Sequence, residues 1–297
     1  MPPPTSRVPA CRWTAVSWPE RRVSTLAITR PVSASIGRCE LSFSERVPIN
    51  LERARAQHGL YESALRGLGC RVESLPGADD LPDAVFVEDT AVILDELAVI
   101  TRPGVASRRP EIAAIAQTLS SLRPLARIEA PATLDGGDVL RADRTLFVGL
   151  GSRTNQAGAE ALARLAEPLG YSVVHVRVTG CLHLKSALSW LGEDRLLLDR
   201  EHVDLRSPHG FRLISVPPAE SPAANVLWIA DTALLSGGYP RTRECLEALG
   251  LSCVTVENSE LAKAEGGLTC CSLIVESSGP STRADREPPK GQATDES

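Results

Sequence analysis

Apolar residues along this chain occur in short blocks that alternate with charged or polar turns. One unit has apolar blocks at 89–94 and 97–101 on either side of the charged pair at 95–96, which predicts a β-hairpin. Between about 110 and 123, apolar residues then recur every three or four positions, and Pro110 suits the first turn of a helix. The order predicted for this unit is strand, strand, helix.

A second unit repeats that order. Its predicted strands cover 138–140 and 145–149, and its predicted helix opens near Asn155. An earlier helix is predicted over about 51–68, where Asn50 is suited to cap the first turn. The pattern therefore predicts a mixed α/β chain.

Five segments share one design, with polar or small residues just before or inside an apolar strand. These segments are 82–89, 132–140, 182–187, 222–229 and 265–273. Successive segments lie roughly 40 to 50 residues apart, a spacing at which an internal structural repeat is expected. Five such units around one core would use about 250 residues and need no second core.

The two ends of the chain follow neither the strand nor the helix pattern. Residues 1–22 are rich in proline, and 278–297 contain Gly and Pro pairs that interrupt any regular element. We therefore predict a disordered extension at 1–22, a single catalytic domain over 23–277 and a disordered tail at 278–297.

Charge and hydropathy narrow the range of partners. The net charge of −5 and the absence of Lys/Arg runs longer than a pair argue against nucleic-acid binding. No apolar run is long enough for a membrane span, and the first residues lack the apolar core of a signal peptide. We expect a cytoplasmic protein that acts on a small molecule and binds neither nucleic acid nor membrane.

Cysteine spacing excludes the common cysteine motifs. The 8 cysteines are scattered without a CxxC pair, which disfavours a zinc ribbon or a thioredoxin-type site. A disulfide framework is also disfavoured in a chain that can build a sizeable core. Any chemical role of cysteine is therefore expected from an individual thiol.

Cys270 is the candidate thiol. It follows the glycine pair at 266–267, which lets the backbone approach a ligand, and precedes the predicted strand at 273–275. A buried cysteine is more often a small hydrophobe than a nucleophile, and this is the expected role of Cys271. Taken alone, Cys270 is weak evidence of catalysis.

The other candidate polar residues also have structural interpretations. His183 alone is more often a hydrogen-bonded structural histidine, and the segment 135–138 is compatible with a simple turn. The acidic residues Asp83, Glu88 and Asp89 are compatible with a solvated strand edge.

Taken together, several short segments resemble one known family. The matching segments are 27–31 (AITRP), 85–90 (VFVEDT), 101–104 (TRPG), 107–109 (SRR), 132–138 (ATLDGGD), 153–155 (RTN), 182–186 (LHLKS) and 268–272 (LTCCS). In this order they resemble the dimethylarginine dimethylaminohydrolases, which belong to a wider group of guanidine-modifying enzymes. The resemblance extends from about residue 25 to 276.

The resemblance implies both a fold and a set of catalytic residues. The fold would be a five-bladed α/β propeller of ββαβ repeats with pseudo-fivefold symmetry and a central active site. Cys270 would be the nucleophile, His183 the general acid and base, and Asp135 the carboxylate that orients His183. Asp138 is still interpreted as a turn residue.

The same resemblance implies the substrate contacts. Three acidic residues would bind the guanidinium group: Asp83, Glu88 and Asp89. Two arginines, Arg108 and Arg153, would bind the α-carboxylate. Leu41 and the backbone around Ala264 correspond to further substrate contacts.

The function implied is hydrolysis of methylated arginine to citrulline and a methylamine through a covalent cysteine intermediate, without a metal or organic cofactor. Thiolate suits this reaction because a guanidinium carbon is a poor electrophile. Two alternatives stay open: arginine deimination, and non-catalytic binding of an arginine analogue. A homodimer is compatible with the sequence, which does not determine the oligomeric state.

Overall fold

The computed structural model describes residues 25–205 and 210–276. The predicted extension at 1–22 and the predicted tail at 278–297 lie outside the described residues. Both therefore stay predictions, as do the outer limits of the domain.

Short strands dominate the described part of the chain. In chain order they are β1 Thr25–Thr29, β2 Arg71–Ser74, β3 Ala91–Ile93, β4 Ala98–Ile100, β5 Leu125–Arg127, β6 Val139–Ala142, β7 Thr145–Leu150, β8 Ser172–Arg177, β9 Leu188–Trp190, β10 Arg195–Leu198, β11 Arg212–Ser215, β12 Val226–Ile229, β13 Thr232–Ser236, β14 Ser252–Val256 and β15 Leu273–Glu276. The α-helices described are α1 Leu51–Gly67, α2 Ile112–Ser120, α3 Gln156–Ala166, α4 Pro240–Ala248 and α5 Ser259–Ala262.

Within the described ranges, these strands form five three-stranded sheets of one design. In each sheet the central strand is antiparallel to one neighbour and parallel to the other. The parallel partner is reached through α1, α2, α3 or α4 in four of the sheets, as a parallel connection requires. Between β10 and β11, residues 199–205 and 210–211 are described, and these residues form no α-helix.

Helices α1 and α3 both begin at an asparagine cap, of which the sequence predicts the one at Asn50. Asn50 accepts a hydrogen bond from the Arg53 N–H at the start of α1, and Asn155 accepts one from the Gly158 N–H at the start of α3. The helix predicted from about 110 starts later, at Ile112, because residues 106–111 form a 3₁₀ helix that includes Pro110. This tighter helix carries Arg108 into the interior.

One sheet joins the two ends of the described chain. β1 pairs in antiparallel register with β15, with Thr25 opposite Glu276 and Ile28 opposite Leu273. The last strand therefore completes the sheet begun by the first. This pairing also sets the position of Cys270, which lies three residues before Leu273, the first residue of β15.

In the described residues a 3₁₀ turn precedes the antiparallel edge strand of each sheet, and we call these five the strand-entry turns. They cover 87–90, 136–138, 184–186, 218–224 and 269–271. The 87–90 turn contacts the 136–138 and 269–271 turns, and the 184–186 turn contacts the 136–138 and 218–224 turns. Residues remote in sequence are thereby gathered in one region.

The hydrophobic core is formed by apolar side chains from both the helices and the strands. Ile115 and Leu119 of α2 and Leu162 of α3 are fully buried, as are Phe147 and Leu146 of β7. No helix in the described ranges has the length and hydrophobicity to span a bilayer.

Two glycines in helices give a direct test of this packing. An added Cβ at Gly158 in α3 would lie 1.9 Å from the Thr133 carbonyl oxygen, whereas at Gly59 in α1 it would meet nothing within 4 Å. We expect Gly158→Ala to destabilise the protein by about 1–3 kcal/mol through overpacking. Gly59→Ala should stabilise it by about 0.5–1 kcal/mol, because alanine favours the helix. Thermal unfolding of both variants measures the difference, and a Gly158→Ala protein as stable as wild type would contradict the packing described.

Candidate active site

The turn that carries Cys270 is packed tightly against two other segments. An added Cβ at Gly266 would lie 2.2 Å from the Phe86 ring, and one at Gly267 would lie 2.4 Å from Asn225 Oδ1. Only glycine fits these positions without displacing its neighbours. Cys270 itself is 7 % exposed and lines an internal cavity.

His183 lies at the start of the 184–186 turn and is held by two carboxylates. Its Nε2 is hydrogen-bonded to Asp135 Oδ2 at 3.0 Å, and its Nδ1 lies 3.7 Å from Asp89 Oδ1. Asp135 is oriented in turn by the Gly104 N–H, which donates to Oδ1 at 2.8 Å. Both imidazole nitrogens thus face an acidic partner.

These acids determine the protonation of His183. Burial by itself lowers the pKa of an imidazole, but the Asp89 charge, the hydrogen bond to Asp135 and the Asp138 charge raise that of His183 from 6.5 to about 9. The imidazole is therefore a cation at neutral pH. Because the folded-state pKa is raised, this pairing stabilises the fold fully below about 6.5, and the stabilisation is lost as pH rises through about 9.

Asp138 is more than a turn residue. It is buried, and its Oδ1 accepts a hydrogen bond from the Leu184 N–H at 3.0 Å, which ties the 136–138 turn to the turn that follows His183. Burial raises the pKa of Asp138 to about 6 although the His183 charge lowers it. The sequence pattern gave no sign of this role, since GGD is also an ordinary turn sequence.

Arg108 is enclosed among acidic groups. Its Nη1 donates to Asp89 Oδ2 at 2.5 Å, and its Nε and Nη2 donate to Glu111 at 3.1 and 2.8 Å. Although burial lowers the pKa of Arg108, Glu111 and Asp89 raise it well above its ordinary value. Asp89 interacts with both cations, His183 and Arg108. Although burial raises the pKa of Asp89, these two charges lower it to about 2.

Glu88 connects two strand-entry turns. Its Oε1 lies 2.7 Å from Lys185 Nζ, and its Oε2 accepts a hydrogen bond from Thr269 Oγ1 at 2.8 Å. Burial raises the pKa of Glu88, while the Lys185 ammonium lowers it. Glu88 and Asp89 are thus buried in a 3₁₀ turn, and the solvated-edge interpretation is wrong for both.

A loop at 40–44 covers the site. The Glu40 N–H donates to both oxygens of Asp83, at 3.3 and 3.1 Å. The N–H groups of three consecutive residues, 42–44, donate to the Glu265 carboxylate at 2.6–3.0 Å. Arg153 Nη2 donates to Ser42 Oγ at 3.2 Å, whereas its buried Nη1 has no hydrogen-bond partner.

Most of the predicted site residues line one cavity under this loop. The lining residues are Glu40, Asp83, Phe86, Asp89, Arg108, Arg153, Leu182, His183, Ala264, Glu265, Gly266 and Cys270. The enclosed volume is about 10 Å³, which is close to the space that holds one water molecule. A substrate the size of an amino acid does not fit in this volume, so part of the cavity lining must move to admit one.

Three predicted residues are not among those lining the cavity. Leu41 packs partly buried against the core, while its neighbours Glu40 and Ser42 make the contacts to the site. Asp135 acts through His183, and Glu88 contacts the site through Lys185 and Thr269. The other seven predicted residues line the cavity, and these three lie next to it.

Cys270 carries no charge at neutral pH, whereas His183 is a cation. Burial and the nearby carboxylates of Glu88 and Asp89 raise the pKa of the Cys270 thiol far above its ordinary value, and Lys185 only partly offsets them. Burial likewise raises the pKa of Cys271, which packs in the core as predicted. Both thiols are protonated at neutral pH when the cavity is closed.

Asp89, Asp135 and His183 can each offer one ligand atom, and these atoms lie within 4.8 Å of one another. Such a group is compatible with a metal ion in principle. The same atoms already pair with His183, Arg108 and the Gly137 N–H. The metal-free site stays a prediction.

Sequence reasoning assigned no role to Lys185, Asn225, Thr269 or Glu265, although each stands in a segment singled out for its pattern. The available signal was a polar side chain at the entry to an apolar strand. Their partners lie about 40 to 220 residues away, so the contacts themselves were not visible in the sequence.

Comparison with known proteins gives one consistent result. A family model described as "N,N dimethylarginine dimethylhydrolase, eukaryotic" matches residues 28–207. The N(G),N(G)-dimethylarginine dimethylaminohydrolase of Pseudomonas aeruginosa is 38 % identical over 223 residues, which are 74 % of this chain and 88 % of that protein. This chain belongs to the dimethylarginine dimethylaminohydrolase family.

Other members of the dimethylarginine dimethylaminohydrolase family agree. The enzyme of that name from Streptomyces coelicolor is 39 % identical over 239 residues, 77 % of this chain and 92 % of that protein. A solved structure of the Pseudomonas aeruginosa protein, a cysteine-to-serine variant complexed with citrulline, has a TM-score of 0.81 and 34 % identity. It covers 85 % of this chain and 99 % of that chain, so the mixed α/β fold is shared.

The raised pKa of His183 can be measured. We expect ¹⁵N NMR titration to give a pKa near 9, and Asp89→Asn to bring it down towards 6.5 by removing the charge that raises it most. Glu193→Gln, which changes a carboxylate that is 77 % exposed, is the matched control and should leave the His183 pKa unchanged. A His183 pKa that Asp89→Asn does not lower would contradict the electrostatic account.

The covering loop can be tested through the reactivity of Cys270. Glu265→Ala removes the acceptor of three N–H groups, and we expect iodoacetamide to alkylate Cys270 about fivefold faster or more. Losing even one hydrogen bond worth about 1 kcal/mol shifts an opening equilibrium by that factor. Glu244→Ala, on the exposed side of α4, is the control. Equal alkylation rates in both variants would show that Glu265 does not hold the loop.

Proposed function

We propose that this protein hydrolyses Nω-methylated arginine to citrulline and a methylamine. The observation that carries the proposal is that Cys270 and a cationic His183 line one cavity together with the acidic residues Asp83 and Asp89. A nucleophile, a proton donor and groups that attract a guanidinium are thereby available in one space. The citrulline complex of the related Pseudomonas aeruginosa protein supports the same product.

We further propose that the five sheets are the blades of an α/β propeller with pseudo-fivefold symmetry. Support comes from their common strand order and from the contacts between neighbouring strand-entry turns. In this arrangement each blade would contribute its entry turn to the centre. The single domain over 23–277 follows from the same proposal, since one ring of blades forms one core.

Acidic side chains would bind and orient the substrate cation. Asp83, Glu88 and Asp89 are the proposed guanidinium partners, because carboxylates accept directional, charge-assisted hydrogen bonds from guanidinium N–H groups. The incoming guanidinium would replace Arg108 on Asp89. Binding would thus exchange one buried ion pair for another, which avoids leaving a charge unpaired.

The α-carboxylate of the substrate would be bound by two arginines. Arg153 Nη1 is buried, makes no hydrogen bond and lies 3.7 Å from Asp135 Oδ2, so its N–H groups can still donate to a carboxylate. Arg108 would become available once the substrate displaces it from Asp89. The backbone near Leu41 and at Ala264 is the proposed contact for the α-amino group, with Ala264 on the cavity wall and Leu41 in the covering loop.

The first half of the reaction forms a covalent intermediate. The Cys270 thiolate attacks the guanidinium carbon and forms a C–S bond, and His183 donates its proton to the methylated nitrogen. The C–N bond then breaks, the methylamine leaves, and a thiouronium remains on Cys270. Protonation of the leaving nitrogen requires His183 to be a cation, which its raised pKa favours.

The second half releases citrulline. His183, now neutral, accepts a proton from water, and the resulting hydroxide attacks the thiouronium carbon. The C–S bond breaks, the sulfur departs as a thiolate, and the O-protonated product releases its hydroxyl proton to solvent to give citrulline. Asp135 holds the imidazole in one orientation through both halves, because its hydrogen bond to Nε2 fixes the ring.

Ionisation of Cys270 would depend on the substrate. In the closed cavity, burial and two carboxylates raise the pKa of the thiol. A guanidinium between those carboxylates neutralises their charge, so the thiol releases its proton to solvent and the thiolate is favoured instead. The nucleophile is therefore produced mainly in the substrate complex.

A cytoplasmic location and a homodimer remain predictions from the sequence.

An activity assay tests this function. We expect purified protein to release citrulline from dimethylarginine faster than from arginine, and Cys270→Ser to lower the turnover by about 10⁴-fold or more. Cys245→Ser, which changes an exposed cysteine, is the control and should retain the activity.

Two outcomes would contradict the proposal. Equal or faster turnover of arginine would favour arginine deimination. Absence of citrulline from both substrates, with binding of dimethylarginine still detected by calorimetry, would favour a non-catalytic binding protein.

A further inference from the structure

Asn225 lies at the junction of two strand-entry turns. It directly follows the 218–224 turn. Its side chain forms hydrogen bonds to the 184–186 turn, which follows His183, and to the 269–271 turn, which contains Cys270. It is 6 % exposed, so it is part of the interior. One amide therefore joins the region of the predicted acid to the region of the predicted nucleophile.

The hydrogen bonds of this amide are fully directional. Asn225 Nδ2 donates to the Lys185 carbonyl oxygen at 2.8 Å and to Thr269 Oγ1 at 2.9 Å. Asn225 Oδ1 accepts from the Thr269 N–H at 3.2 Å. Both N–H groups and the oxygen of the amide are thus used, and only an amide supplies two donors and an acceptor in this geometry.

The same two partners hold Glu88. The Lys185 ammonium pairs with Glu88 Oε1, and the Thr269 hydroxyl donates to Glu88 Oε2. Because Thr269 Oγ1 accepts from Asn225, its proton is directed towards Glu88. The orientation of a proposed guanidinium-binding carboxylate is therefore coupled to Asn225 through both of its partners.

The absence of a side chain at Gly267 leaves room for the Asn225 amide. The Asn225 amide would lie 2.4–2.8 Å from any Cβ at position 267, so Gly267 is what permits the close approach. The turn that carries Cys270 thus rests directly on the Asn225 side chain. A displacement of the Asn225 side chain would therefore also displace the turn that carries Cys270.

We propose that Asn225 is a positioning residue that holds the Cys270 turn against the His183 turn at the distance the reaction requires. The inference rests on the proposed function and extends it to a residue that touches no reacting atom. Its effect should fall on the chemical step, because a displacement of about 1 Å between reacting groups costs on the order of 10²-fold in rate.

Ser189 provides a matched control. Its buried hydroxyl donates to the Ala224 carbonyl oxygen at 2.6 Å and accepts from the Val226 N–H at 2.9 Å. Ser189→Ala therefore removes two buried hydrogen bonds to the residues on either side of Asn225. The hydrogen bonds from Asn225 to Lys185 and Thr269 do not involve this hydroxyl.

The test compares Asn225→Ala with Ser189→Ala in the intact chain. We expect Asn225→Ala to lower kcat for dimethylarginine about 10- to 100-fold with little change in KM, while Ser189→Ala keeps the wild-type kcat at a comparable loss of thermal stability. In the double variant with Thr269→Val, the combined loss should be smaller than the product of the single losses, because both remove one shared link. If Asn225→Ala does not fold, Asn225→Asp keeps the size and the acceptor but loses both donors.

The outcomes separate the positioning role from the function itself. An active wild type whose Asn225→Ala variant matches Ser189→Ala in kcat would overturn the inference and leave the function intact. If the wild type shows no turnover, the function fails, and alkylation of Cys270 by iodoacetamide decides the inference instead. Faster alkylation in Asn225→Ala than in Ser189→Ala then supports the link between the turns, and equal rates overturn it.

Discussion

The structure depends on a chain of buried ionic contacts in which His183 is held between Asp135 and Asp89, and Asp89 is shared with Arg108. Charges removed from water are costly unless each has a partner, so these groups stabilise the fold only when they stand together. Their parent segments are separated by dozens of residues along the chain. The electrostatic requirement of the interior therefore acts as a constraint on how the units pack.

The strand-entry turns meet this constraint. Side chains of one strand-entry turn accept hydrogen bonds from N–H groups of a neighbouring turn. Asp138 binds the turn that follows His183, and Gly137 binds Asp89. The hydrophobic sheets provide the rigid support, and the turns carry the polar chemistry, which is how a site can be both buried and charged.

The same interior explains why the cavity is closed and how it would respond to a cation. In the closed arrangement Arg108 and Lys185 neutralise the acidic groups that would receive a guanidinium. Cys270 remains a thiol because the carboxylates and burial disfavour its anion. Entry of a substrate cation would change each of these balances in the direction that the proposed chemistry needs, and part of the cavity lining would have to move to admit it.

The sequence by itself determined the order of the units, the cap of α1 at Asn50, the start of α3 near Asn155, and the family to which the chain belongs, because these properties reside in local patterns and short motifs. It also predicted the identity of Cys270, His183 and Asp135 through that resemblance. The tertiary structure alone decided that Asp138 and Asn225 contact the turns beside His183 and Cys270, and that Glu265 holds the covering loop. These contacts join residues with large sequence separations, and a hydrogen bond depends on distance and direction in space, which no local pattern encodes.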